Sequence, residues 1–333
     1  MQARLTVVIP TYNRCALLKR ALSSVLSHWH AGGPVRIDVW DNHSSDGTEA
    51  FMEEISAGHP HVLYTRRLEN IGPLRNYMDA ISRVETEFYV ALADDDYLID
   101  GFPGEAMGIL DADQSLGAVA MQTLHVDPAG GVTKINPDDR WKNGRCTPVE
   151  TMHHWCRLGH FEWSSVVFRK SAYDAVGGLD LSYGLAADVS YQFDVFLKYP
   201  VFIVKKPAAV FSLHAGQQSS NLGMRYLKSA VQLVGRFKKA ADDKPEFRAA
   251  FKALSRRYAD EFSKLGFVTD SLSDLRSLIY EIAWSLGMPH YAVICLLRAM
   301  AGKARRRKLL PWRRGKARES KLGLISDYVP GAS

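Results

Sequence analysis

Residues 5–40 read LTVVIPTYNRCALLKRALSSVLSHWHAGGPVRIDVW. A short β-branched apolar run at 5–9 stops at Pro10, a helical spacing of apolar residues covers about 14–28, and a second β-rich run fills 35–40. Strand, crossover helix and parallel strand are the smallest unit that such a pattern builds. The alternation then continues, with a helical pattern near 48–57, VLYT at 62–65, another helical pattern near 73–83 and FYVALA at 88–93. A mostly parallel, doubly wound α/β sheet covered on both faces is therefore expected.

Beyond the aspartates at 94–96 the pattern loosens. An apolar stretch at 117–126 runs into PAGG (128–131), a turn signal that reads as a hairpin or a long excursion, and the polar, Pro- and Gly-containing segment 136–150 reads as a mobile loop. SSVVFRK (164–170) is strand-like, Gly177-Gly178 is a break, a helix is expected at 188–199, and strands at 201–205 and 208–213. From about 219 to 304 only helical periodicity appears. The expected organisation is an α/β domain over 1–215, a helical extension over 216–302 and a basic tail over 303–333.

Composition bounds the class. With 333 residues, 47% hydrophobic and 23% charged, the chain can bury a full core, which excludes global disorder and coiled coil. No run reaches the roughly 18 apolar residues of a spanning helix, and the amino terminus lacks the long apolar segment of a secretory signal. A cytoplasmic address is the expectation. Cys15, Cys146, Cys156 and Cys295 are far apart with no zinc or CxxC spacing, and read as ordinary thiols. The net charge of +6 divides unevenly, because residues 303–321 carry +9 and the rest −3.

Ligands of open parallel sheets bind beyond the carboxyl ends of the strands. Here those ends are polar: Pro10-Thr11-Tyr12-Asn13-Arg14, Asp41-Asn42-His43-Ser44, Glu69-Asn70-Ile71-Gly72 and Asp94-Asp95-Asp96. Two carboxylates about 5 Å apart repel by roughly 3 kcal/mol at an effective dielectric of 20. Either a hard divalent cation offsets this in Asp94–Asp96, together with a substrate diphosphate, or the triplet is a solvated loop that caps the next helix. Asp41 reads as a ribose or base ligand or as a turn former. Arg75 reads as a phosphate partner or a solvated helix residue, whereas Asp46, Gly47 and Thr48 read as turn and cap.

Taken together, TVVIPTYNR, DNHSSDGT, NIGPLRN and ALADDDYL resemble, in order and spacing, the inverting glycosyltransferases of family 2, over roughly residues 5–215. The resemblance implies a GT-A fold, a Rossmann-like nucleotide-sugar-binding sheet, here with a C-terminal helical extension. It also implies transfer of a sugar from a nucleoside-diphosphate-sugar donor to an acceptor hydroxyl, with Mn²⁺ or Mg²⁺ on the diphosphate. Carried over by position, Pro10, Tyr12 and Arg14 would line the nucleotide pocket, Asp41 would hold base or ribose, and Arg75 would lie near the diphosphate. Asp94 would face the nucleotide sugar, with Asp95 beside it, and Asp96 would be the principal metal ligand, assisted by His214. Asp188, in GGLDLSYGLAADVSYQFDV, matches the catalytic base, although Ala187 stands where the family commonly has Glu; Asp180 is the alternative base. Trp163 would stack on the acceptor sugar, or else pack in the core.

The tail sequence KARRRKLLPWRRGKARESK interleaves apolar residues with cations, a composition suited to anionic headgroups or to plain solvation. Peripheral attachment to the inner face of the cytoplasmic membrane, near a glycan or lipid-linked acceptor, fits the resemblance; nucleic acid is not expected as a partner. A sugar nucleotidyltransferase and a non-catalytic carbohydrate- or nucleic-acid-binding protein are the competing classes.

Overall fold

A computed structural model describes residues 3–26, 35–214 and 224–264. The basic tail, the later part of the helical extension and Cys295 lie outside the described residues.

The first half follows the alternation in the sequence. Strands β1 (Leu5–Thr11), β2 (Val35–Asp41), β3 (Val62–Arg66) and β4 (Phe88–Ala91) are joined through helices α1 (Cys15–Leu26), α2 (Thr48–Gly58) and α3 (Pro73–Ser82). They lie side by side in the order β3-β2-β1-β4, all parallel. All seven residues of β1 are buried, as expected of a central strand covered on both faces. Register places Thr11 opposite Asp41, so the polar ends of these strands reach the same edge of the sheet.

The second half is mixed. Its elements are β5 (Tyr97–Leu98), α4 (Phe102–Ala112), β6 (Ala118–Val126), β7 (Val132–Asn136), β8 (Gly144–Cys146), α5 (Pro148–Leu158), β9 (Val166–Arg169), α6 (Lys170–Ala175), α7 (Ala187–Lys198) and β10 (Val201–Ser212). The sheet continues from β4 as β9-β6-β10-β5; β9 runs antiparallel to both β4 and β6, while β6 and β10 are parallel. One strand, β10, replaces the two expected at 201–205 and 208–213. Its pairing with β6 slips around Pro207, a residue with no N–H for a ladder. Helices α8 (Met224–Asp243) and α9 (Arg248–Lys264) begin the extension, α9 packing against α5. Separate hydrophobic clusters occupy the two faces of the sheet, one built on Leu18, Leu22 and Phe102, the other on Trp155, Phe168 and Phe196.

The PAGG turn closes a β6–β7 hairpin, with Asp127 accepting from the N–H groups of Ala129 and Gly131. Segment 136–150 corrects the expectation of a mobile loop. Trp141 is 2% exposed with its ring 4.5 Å from Phe161, β8 pairs with β10, and Thr147 and Glu150 form a capping box that starts α5. At the Gly177-Gly178 break both residues have positive φ, and a Cβ on Gly178 would meet the Tyr173 ring at 2.7 Å. Among the described residues no helix is long and apolar enough to cross a membrane.

Candidate active site

Two cavities of about 420 and 440 Å³ open at the carboxyl edge of the sheet. The first is lined by Pro10, Tyr12, Arg14, Asn42, Asn70, Asp94 and Asp95 among others. The second is lined by Asp96, His125, His160, Glu162 and Trp163 together with apolar residues such as Leu179 and Leu181. Tyr77, Ala93, Phe211 and Asp188 line both, so the cavities share one wall.

The loop after β1 is tied to the loop after β2. Asn13, at φ 52°, accepts from the Ser45 N–H at 2.7 Å and donates its own N–H to Ser44 Oγ. Asp46 accepts from the Cys15 N–H at the start of α1 and from Thr48, which bears out its turn and cap role; hydrogen bonds from Cys15 and Thr48 outweigh partial burial and hold its carboxyl below the usual range. Asn42 bonds Asn70 at 2.8 Å and accepts from the Ile71 N–H, joining the second and third strand ends.

Asp94, Asp95 and Asp96 are all nearly buried, and each accepts hydrogen bonds from within the chain. Arg14 Nη1 lies 3.0 Å from both Asp94 and Asp95, and the Thr11 hydroxyl donates to Asp94 at 2.8 Å. His214 Nε2 stands 3.0 Å from Asp95, on the same oxygen that Arg14 reaches. Asp96 accepts from the Ser164 hydroxyl at 2.8 Å and the Ser212 N–H at 3.1 Å. Burial, then the adjacent Asp95 charge, pushes the Asp96 carboxyl up to about 8; burial also raises Asp94, against the Arg14 charge. Part of the repulsion that the sequence exposes is thus met from within the chain, by Arg14.

Asp188 stands in the first turn of α7, where its Oδ1 accepts from the Val189 N–H at 2.7 Å. Burial raises its pKa while the nearby His160 opposes the shift. An elevated carboxyl pKa suits a group that must take up a proton. Asp180 caps the 3₁₀ turn 181–186 through the Ser182 N–H and lines neither cavity. Trp163 lines the second cavity within an aromatic cluster, its ring centre 6.0 Å from that of Tyr77 and 5.9 Å from that of Tyr191.

Three expected ligand residues fall outside both linings: His214, which reaches the site through Asp95, Asp41 and Arg75. Asp41 is fully buried, with one oxygen taken by the Ser44 N–H and hydroxyl and the other by the Tyr64 hydroxyl at 2.7 Å. Arg75 is exposed on α3. The charged wall around Glu162 was not anticipated. His125 Nε2 lies 2.7 Å from Glu162, Lys134 3.5 Å, and the Asn136 side chain donates to the same carboxylate. Burial alone would push Glu162 up, but these contacts, with the His160 charge, hold it at about 2.

Comparison with known proteins agrees with this geometry. The family model described as Glycosyl transferase family 2 matches residues 6–168, which include β1 to β4, the three aspartates and Trp163. Over that segment the chain is similar to glycosyl transferase family 2. The chain is 31% identical over 91 residues to the abequosyltransferase RfbV of Salmonella typhimurium, a match covering 27% of each chain. It is 29% identical over 99 residues to a GalNAc(5)-diNAcBac-PP-undecaprenol beta-1,3-glucosyltransferase of Campylobacter jejuni, covering 29% of this chain and 31% of the relative. The chain thus spans less than a third of the length of either curated relative it matches. Among solved structures, S. aureus TarS 1–349 in complex with UDP-GlcNAc superposes with a TM-score of 0.69 at 16% identity, covering 98% of this chain and 97% of that one. The mannosyltransferase PcManGT of Pyrobaculum calidifontis, in complex with GDP-Man and Mn²⁺, gives 0.55 at 17% identity, covering 91% and 88%. The fold of the chain is GT-A.

Proposed function

We propose that the chain is a metal-assisted, inverting glycosyltransferase that moves a sugar from a nucleoside-diphosphate-sugar to an acceptor hydroxyl, in the synthesis of a cell-surface polysaccharide or lipid-linked glycan. The observation that carries this reading is the shared wall: Asp188 faces both a cavity with nucleotide-type polar groups and a second, aromatic and apolar one. A base at that junction can reach an acceptor hydroxyl on one side and the anomeric carbon of a donor on the other. The names of the relatives, two of which transfer sugars and one of which acts on an undecaprenyl diphosphate glycan, support the substrate class.

In this mechanism Pro10, Tyr12, Asn42 and Asn70 hold the nucleoside, with Asp41 fixing their loop through Ser44. Arg14, already at the carboxylates, supplies positive charge toward the diphosphate, and Arg75, exposed on α3, would have to swing in to join it. Among the described residues no three His, Cys, Asp or Glu side chains are gathered as a ready metal site. Asp96 and His214, with Asp95, nevertheless offer carboxylate and imidazole donors of the types that Mn²⁺ or Mg²⁺ accepts when a diphosphate completes its shell. Such an ion would neutralise charge gathering on the leaving diphosphate. Asp188 takes the acceptor proton, and Trp163 with the Glu162 wall orients the acceptor. Asp188→Asn should lower the transfer rate about 10²- to 10⁴-fold with UDP affinity intact, by product assay and calorimetry; parallel loss of UDP binding would remove Asp188 from the role of base. Release of pyrophosphate in place of a nucleoside diphosphate would move the chain to the nucleotidyltransferases.

A further inference from the structure

A third cavity, about 440 Å³, lies between α5 and α9, apart from the two at the sheet edge. His153 and Arg157 face it from α5, and Lys252, Arg256 and Arg257 from α9, with two alanines between them. No carboxylate lines it. Among the described residues, Arg157, Lys252 and Arg256 form no ion pair with a carboxylate. Lys252 and Arg256 are four apart on one helix face, a like-charge spacing that weakens a helix, and packing against α5 brings Arg157 to the same space. Cations gathered in this way are relieved by an anion. Arginine forks match phosphate oxygens in pairs, and the small side chains of Ala249 and Ala253 leave room for a group to enter.

Position relates this groove to the acceptor side. Arg257 Nη1 donates to the Trp155 carbonyl at 3.2 Å, near the end of α5, and lies 3.8 Å from the point where a side chain on Gly159 would begin. The next residue, His160, lines the second cavity, and its imidazole feels the charges of both Asp188 and Arg257.

We propose that the groove between α5 and α9 binds a phosphate or diphosphate carried by the acceptor, through Arg157, Lys252, Arg256 and Arg257, while the acceptor hydroxyl faces Asp188. The proposal rests on the transfer reading above. A recessed pocket favours a discrete phosphate group over a flat membrane surface, and the lining has no Phe, Tyr or Trp ring on which a nucleic-acid base would stack.

The test is calorimetric titration of the full chain with geranyl diphosphate, with the nucleotide cavity saturated by UDP, comparing wild type and the double variant Arg157→Ala/Arg256→Ala. Both arginines are exposed, so the variant should fold; circular dichroism and an unchanged UDP titration check this. Loss of about tenfold or more in geranyl diphosphate affinity is expected, from two charge-assisted contacts. Equal affinity of the two proteins, or no binding by wild type, overturns the proposal. Three further outcomes overturn it in favour of another ligand. They are tighter binding of inorganic pyrophosphate than of geranyl diphosphate, a variant defect seen only with phosphatidylglycerol vesicles, and a defect seen only with a single-stranded oligonucleotide. Failure of wild type to bind UDP would sink the transfer reading separately.

Discussion

Glu162 shows how much of the site depends on contacts that a sequence does not display. Its neighbours in the motif FEWSS point to nothing charged, and His125 sits in an apolar run 37 residues earlier; β6 and the turn before β9 bring the two within 2.7 Å. Because its folded pKa of about 2 lies below the ordinary 4.5, the stability it adds is fully present above pH 4.5 and lost as pH falls toward 2. The expected size is about 3 kcal/mol. Urea unfolding at several pH values should show the gap between wild type and Glu162→Gln shrinking over that window; a gap constant with pH would mean that the carboxylate is not held by these partners. Asp94–Asp96 and Asp188, by contrast, were legible, since a run of acids after a hydrophobic strand and an acid opening a helix are local signals. Asp41 was legible as important but not in its contacts, because only the fold shows Ser44 and Tyr64 consuming both of its oxygens.

Among the elements, α5 is the one most easily misread. The sequence Thr147-Pro148-Val149-Glu150 is a capping-box signature with proline at the first helical position, yet the polar stretch before it, with Pro137 and Gly144, masked the helix start. Thr147→Ala should cost about 1 kcal/mol in chemical denaturation, and more than a solvent-facing substitution such as Arg140→Ala; no difference between the two would argue that the box is not formed. The strand-helix alternation of the first half was readable because short β-rich runs, fully buried in β1 and β4, are separated by helical spacings of apolar residues. The second half was less so, since antiparallel pairings such as β9 between β4 and β6 depend on register between distant segments.

At the level of the whole molecule, the two sheet faces carry separate cores and the carboxyl edge carries both cavities, so a ligand there should stabilise without remodelling the interior. With Mn²⁺ present and UDP at a hundredfold excess over its Kd, linkage adds about 2.7 kcal/mol and should raise the melting temperature by a few degrees. Asp96→Ala should lose the metal-dependent part of that rise, and an undiminished metal effect would exclude Asp96 as a ligand. Tyr77, Ala93, Phe211 and Asp188 each line both cavities, so on the proposed transfer reading each would present to donor and acceptor at once. Tuning of the two substrate preferences is therefore coupled: enlarging or shrinking Phe211 should move both KM values together, and a new donor cannot be accommodated at that position without renegotiating the acceptor.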